Sequence, residues 1–270
     1  AFRGKSFGFI GSKVGEVVFN TSMTGYQEAL TDPSYCEQIL LMTTSHVGNT
    51  GVNEEDEESR RCFVHGFIAR HFSKNPTNHR REQDLESYLI EQKVPAIEDI
   101  DTRSLVRHLR DKGSMKGVIS TDGTSIEELQ KQLEAYPGMV NRDLATNVAI
   151  QDIFVANDPQ NPRFRINVID GGCKANIIRL LTEAQCFVRV VPIHASVEEW
   201  QRDCDLIFLS NGPGDPSSLQ EPIQKIMQLS GKIPMAGICL GHQLMCLALG
   251  AKSFKLPFGH RGSNHPTLEF

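Results

Sequence analysis

Apolar and polar positions alternate with two different rhythms along the chain, and the change falls at about residue 155. In the first part, Val17-Val18-Phe19 and Gln38-Ile39-Leu40-Leu41-Met42 read as short strands, with Asp32-Pro33-Ser34-Tyr35 as a turn between them. The spacing predicts amphipathic helices over 84–93, 101–113 and 124–136. The first two open on Asp84 and Asp101, the second closes on Gly113, and the third opens on Ser125 with Glu128 three positions on. Strands and helices mix here without a regular βαβ order, which implies an α+β domain over 1–155. The polar, proline-containing stretch 156–163, "ANDPQNPR", reads as a linker.

After it the rhythm becomes regular. "RINVIDGG", "CFVRVVPI", "DLIFLS" and "IPMAGIC" have the apolar runs of buried strands. Between and after them lie the helical patterns "CKANIIRLLTEA", "SVEEWQRD", "SSLQEPIQKIMQLSG" and "LGHQLMCLALG". Such alternation over 164–270 implies an α/β domain with a parallel sheet covered on both faces. Chemistry in these sheets gathers at the carboxyl ends of the strands. Both glycine-rich turns, 211–214 and 237–241, fall at such ends.

Composition narrows the classes. With 270 residues, 39% hydrophobic and 23% charged, the chain is an ordinary soluble globular protein able to bury a sizeable core. A net charge of −5 gives no case for nucleic acid or an anionic membrane as partner. The apolar runs are far shorter than the ~20 residues of a membrane span, and "AFRGKSFGFIGSK" lacks the apolar core of a signal peptide. Seven widely spaced cysteines without a CxxC argue against a disulfide framework or a metal site and for a reducing, cytoplasmic setting. The acidic run Glu54 to Glu58 reads as a solvated loop, since consecutive carboxylates cannot all converge on one ion.

The candidate chemistry centres on Gly237-Ile238-Cys239-Leu240-Gly241. Small residues two positions either side permit a strained strand-to-helix turn that leaves the thiol exposed. The helix starting beyond Cys239 favours its thiolate, and the Leu240 amide can face a developing oxyanion. Asn211-Gly212-Pro213-Gly214-Asp215-Pro216 is a weaker signal alone, but on the same sheet it offers a second oxyanion donor. A cysteine nucleophile also needs a base. His242 is directed along the helix and reads as structural, Cys246 reads as core, and neither His260 nor His265 has a suitable surround.

These residues resemble a family. "GICLGHQ" with an upstream "SNGPGDP" is similar to the class I, triad glutamine amidotransferases, whose domain is flavodoxin-like. "GEVVFNTSMTGYQEALTDPSY", "DEES", "VPAIEDIDTRSLVRHLRDKGSMKG" and "GAKSFKLPFGHRGSNHP" narrow it to the small, glutamine-hydrolysing subunits of carbamoyl phosphate synthetases. The resemblance implies hydrolysis of L-glutamine through a Cys239 thioester. Ammonia would pass to a large subunit that uses ATP, bicarbonate and magnesium to make carbamoyl phosphate for arginine and pyrimidine synthesis. This subunit would need no cofactor of its own, and the two subunits would form a heterodimer through the N-terminal domain. By position, Leu240 and Gly212 match the oxyanion-hole amides. Gly212, Gly214, Leu240, Gln243 and, from the first domain, Ser34 match glutamine-binding residues. Nothing in its own surroundings distinguishes Ser34 from a turn serine.

The sequence also departs from the family pattern. Members continue beyond "GSNHP" to an "NHGF"-like segment and the His-x-Glu of the triad, and begin one strand earlier than "FRGKSFG". The expectation is a chain shortened at both ends, inactive alone because triad members act as a unit. Two alternatives stand beside it: a catalytically silent subunit that docks on and regulates a synthetase, and another class I member acting in anthranilate or GMP synthesis.

Overall fold

The computed structural model describes residues 1–259, which divide into two compact units. The first holds Ala1–Thr31, Glu37–Gly138 and the described residues from Lys255 onward. Its strands are β1 (Lys5–Gly8), β2 (Ser12–Asn20), β3 (Gln38–Met42), β4 (His46–Val47), β5 (Gly66–Ile68), β6 (His71–Phe72), β7 (Pro95–Glu98) and β8 (Met115–Ser120). Its helices are α1 (Tyr26–Thr31), α2 (Leu85–Glu91), α3 (Thr102–Lys112) and α4 (Ile126–Ala135).

Six of these strands form one sheet in the order β1-β7-β5-β3-β2-β8. The four inner strands run parallel to their neighbours, and β1 and β8 are antiparallel edges. A parallel centre is more order than the irregular rhythm suggested, because only the short α1 and a 3-10 turn, Pro33–Tyr35, join β2 to β3, and no α-helix joins β3 to β5. Every residue of β3 is buried, as its apolar run requires in the middle of a sheet. Ile39, Leu41, Ile68 and Ile119 meet Leu105 and Leu109 of α3. These two leucines lie four apart on one helical face. Asp101 starts α3 by accepting from the Ser104 amide at 2.9 Å, and Gly113, at φ 88°, ends it. The acidic run is solvent-facing as read, with none of Glu54 to Glu58 buried, although Glu54–Asp56 form a 3-10 turn in which Asp56 pairs with Arg80 at 2.6 Å.

The second unit holds Asp32–Cys36 and Met139–Phe254. Its strands are β9 (Phe154–Asn157), β10 (Arg165–Asp170), β11 (Phe187–Pro192), β12 (Leu206–Leu209) and β13 (Met235–Gly237). Its helices are α5 (Ala145–Val148), α6 (Ala175–Glu183), α7 (Val197–Gln201), α8 (Gln220–Leu229) and α9 (Leu240–Ala248). The sheet order is β13-β12-β10-β11-β9, with β10 to β13 parallel and β9 antiparallel to β11. Alternate residues feed opposite layers. Ile169, Val191 and Leu209 meet Trp200, Ile223, Ile226, Leu240 and Leu244 from α7, α8 and α9. Val168, Val188 and Val190 meet Ile178 and Leu181 of α6. The four parallel strands have the flavodoxin-like order 2-1-3-4, which reverses direction between β10 and β12 and opens a crevice beyond their carboxyl ends.

The change of unit falls after Gly138, not near 155, and the stretch read as a linker begins inside β9. Ala145 and Ala149 are buried in the second unit's core, and the Asn157 side chain donates to the Cys186 carbonyl at 2.8 Å. β9 escaped the sequence pattern because, on the sheet edge, Phe154 and Val155 are both exposed and no apolar–polar alternation results.

Candidate active site

β13 carries the chain to Cys239 at the lip of the crevice, and α9 leaves from there. Cys239 has φ 53° and ψ −109°, a backbone conformation costly to any residue with a Cβ. Close packing imposes it. A Cβ on Gly241 would stand 2.2 Å from the Leu209 carbonyl oxygen, and one on Gly237 would stand 2.7 Å from the Gly241 carbonyl carbon. Two glycines therefore let strand and helix approach until the intervening residue is forced outward. The Cys239 side chain is exposed. Backbone hydrogen bonds fix the turn: Ile238 donates to Leu209 O at 3.1 Å, Gly241 to Ser210 O at 3.0 Å, and Gln243 to Cys239 O at 3.0 Å. Leu240 is the first residue of α9, so its amide has no acceptor within the helix.

The second glycine loop leaves β12 beside this elbow. Ser210 and Asn211 are buried, and a Cβ on Gly212 would lie 2.1 Å from Gly171 O and 2.7 Å from a Leu240 methyl. Gly212, Leu240 and the turn after β10 thus touch. Gly214, at φ 96°, lies against the backbone of Arg142 and Leu144. Asp215 closes the loop by accepting from the Ser217 amide at 2.9 Å and the Asn141 amide at 3.0 Å.

A third segment completes the crevice. Asp32 caps the 3-10 turn Pro33–Tyr35, accepting from the Ser34 amide at 2.8 Å. Asn211 Nδ2 donates to Ser34 Oγ at 3.0 Å and to Asp32 Oδ1 at 3.2 Å. Lys174 Nζ lies 2.9 Å from Asp32 Oδ2, and the Lys174 amide donates to Asn211 Oδ1 at 3.1 Å. The turn after β10 is pinned by buried Asp170, which accepts from the amides of Gly172 at 2.8 Å, Cys173 at 2.6 Å and Ile150 at 2.7 Å.

Of the residues singled out from sequence, Cys239, Leu240 and Gly212 come together at adjoining turns, and Ser34 joins them through Asn211. Gln243 lies exposed in the first turn of α9. Gly214 is in the same loop as Gly212, with its backbone packed on the segment before α5. His242 faces Cys246, its Nε2 3.7 Å from the sulfur, and Cys246 is half-buried beside it instead of lying in the core. His260 and His265 lie outside the described residues. Sequence reasoning missed Asp32, Lys174 and Asp170. The signal that could have found the last two is Gly171-Gly172, a glycine pair at a third strand end, directly before Cys173-Lys174.

Residues 1–119 match the model of the carbamoyl-phosphate synthase small chain, CPSase domain, and residues 167–270 match that of the class-I glutamine amidotransferases. The carbamoyl phosphate synthase small chain of Clostridium perfringens is 47% identical over 269 residues, covering 99% of this chain and 75% of that one. The chain belongs to the carbamoyl phosphate synthase small chain family. The small chain of a Synechocystis species is 46% identical, with 98% of this chain and 73% of that one covered. The chloroplastic small chain of Oryza sativa subsp. japonica is 42% identical, with 99% and 63% covered. As a member of this family the protein is a glutamine-hydrolysing small chain, with an amidotransferase domain following an N-terminal domain. The match over 1–119 sets aside the other class I members, which leave that region unexplained. Among the described residues no helix is long and apolar enough to cross a membrane.

Proposed function

We propose that Cys239 attacks the side-chain amide carbon of L-glutamine and that the ammonia released serves a large, ATP-dependent synthetase subunit. The strained, outward conformation of Cys239 carries this reading. The S–C bond forms as the carbonyl π pair moves to oxygen, and the Leu240 and Gly212 amides receive the oxyanion. Collapse expels the protonated amine as ammonia and leaves a γ-glutamyl thioester. Water then attacks the thioester, giving glutamate and restoring the thiol. Ser34, Gly214 and Gln243 hold the substrate around the reacting amide. Proton transfers fall to the family's His-x-Glu, a motif that residues 1–270 do not contain.

The product feeds carbamoyl phosphate synthesis for arginine and pyrimidines in a heterodimer, with the first unit facing the large subunit. The seven free thiols support a reducing, cytoplasmic setting. The test is Cys239→Ala in the full-length protein assembled with its synthetase subunit. Glutamine-dependent carbamoyl phosphate synthesis should vanish while ammonia-dependent synthesis persists. Glutamine-dependent synthesis that survives the substitution would place the nucleophile elsewhere, whereas a parent protein without glutamine-dependent synthesis would be a silent docking subunit.

A further inference from the structure

Ser210 lies where three strand ends meet, and no role falls to it in the chemistry above. It is buried, and each of its polar groups is engaged. Its amide donates to Ile169 O at 3.1 Å, and its carbonyl accepts from the Gly241 amide of the elbow at 3.0 Å. Its hydroxyl accepts from the Gly171 amide at 3.0 Å and donates to the Asn211 carbonyl at 2.8 Å. The last bond has a consequence for the site. The Asn211 carbonyl and the Gly212 N–H belong to one planar peptide group and point in opposite directions. Whatever fixes the carbonyl fixes the N–H, and a donor on that oxygen also polarises the N–H and strengthens it as a donor.

We propose that Ser210 is a positioning residue that aims and polarises the Gly212 amide at the oxyanion while its own carbonyl holds the cysteine elbow in register. The inference rests on the cysteine–oxyanion reading and deepens it. Without the hydroxyl, the Asn211–Gly212 peptide can rotate. The Gly171 amide also loses its acceptor, which loosens the contact between Gly171 and Gly212. Ground-state binding of glutamine, to which Ser34, Gly214 and Gln243 also contribute, changes little. The loss falls mainly on the transition state.

The test compares Ser210→Ala with the parent in the full-length protein. Its kcat for glutamine hydrolysis should drop about 10- to 100-fold with KM within about twofold, the size expected for a misaimed oxyanion donor. Glutamate γ-semialdehyde, which adds the thiol to give a tetrahedral thiohemiacetal, should lose affinity by a similar factor. Alkylation of Cys239 by iodoacetamide, a displacement at saturated carbon with no oxyanion, should keep its rate. Ser210→Thr, which retains a hydroxyl, should recover most of kcat. Should Ser210→Ala fail to fold, Ser210→Cys, with a weaker donor of similar shape, carries the same expectation.

An unchanged kcat overturns the proposal, as does a fall in kcat with undiminished semialdehyde affinity. An equal fall in iodoacetamide reactivity overturns it too, since that would mean a general collapse of the elbow. Failure of the underlying reading looks different: parent activity would then survive Cys239→Ala.

Discussion

At the scale of single residues, the site depends on what two glycines leave out. Gly241→Ala would place a methyl 2.2 Å from a strand carbonyl that cannot retreat without moving β12. We expect about 3 kcal/mol of destabilisation or more, together with loss of Cys239 alkylation. Gly250→Ala is the control. Unlike Gly241 it has positive φ, at 87°, with open space around it, so only the backbone cost of about 1–2 kcal/mol applies. Urea unfolding of the two variants measures the difference.

Far from the site, burial pushes the Cys62 thiol up to about 12 from an ordinary value of 9.0. Above pH 9 the unfolded chain releases this proton while the folded chain keeps it. The stability that the neutral thiol contributes is therefore complete below pH 9 and is lost as pH rises toward 12. Between these limits the slope is at most about 1.4 kcal/mol per pH unit. Cys62→Ala should flatten the fall in urea midpoint between pH 9 and 10.5. Parallel curves for variant and parent would contradict it.

At the scale of elements, caps and buried carboxylates decide where strands and helices stop. Asp101→Ala removes one exposed cap from α3 and should cost about 1 kcal/mol. Asp170→Ala strips three amides of their acceptor at the turn after β10, and should cost about 3 kcal/mol. Thermal melts separate the two. The same contrast governs what could be read beforehand. α2, α3 and α4 were legible because Asp84, Asp101 and Ser125 sit immediately before amphipathic runs, and all three cap as expected. The elbow was legible because its nucleophile and both glycines lie within five consecutive residues. Ser34 was known only by resemblance and Asp32 not at all. Their partner Asn211 lies 177 positions from Ser34 along the chain, and no local pattern records such a meeting. β9 was missed for a related reason, since an exposed edge leaves little periodicity.

At the scale of the whole molecule, two sheets each supply a core, and the second presents a switch point with three glycine turns at its carboxyl edge. Hydrogen exchange should accordingly be slowest in β3, buried along its length, and in β10 and β11, covered on both faces. Fast exchange in β10 would contradict the second core. The central claim is that the fold forces Cys239 outward to attack glutamine. It is tested most directly by incubating the full-length protein with a diazoketone analogue of glutamine and mapping the adduct by mass spectrometry. The account predicts a single adduct on Cys239, suppressed by excess glutamine. Label on Cys173 or Cys246 with Cys239 unmodified would contradict it.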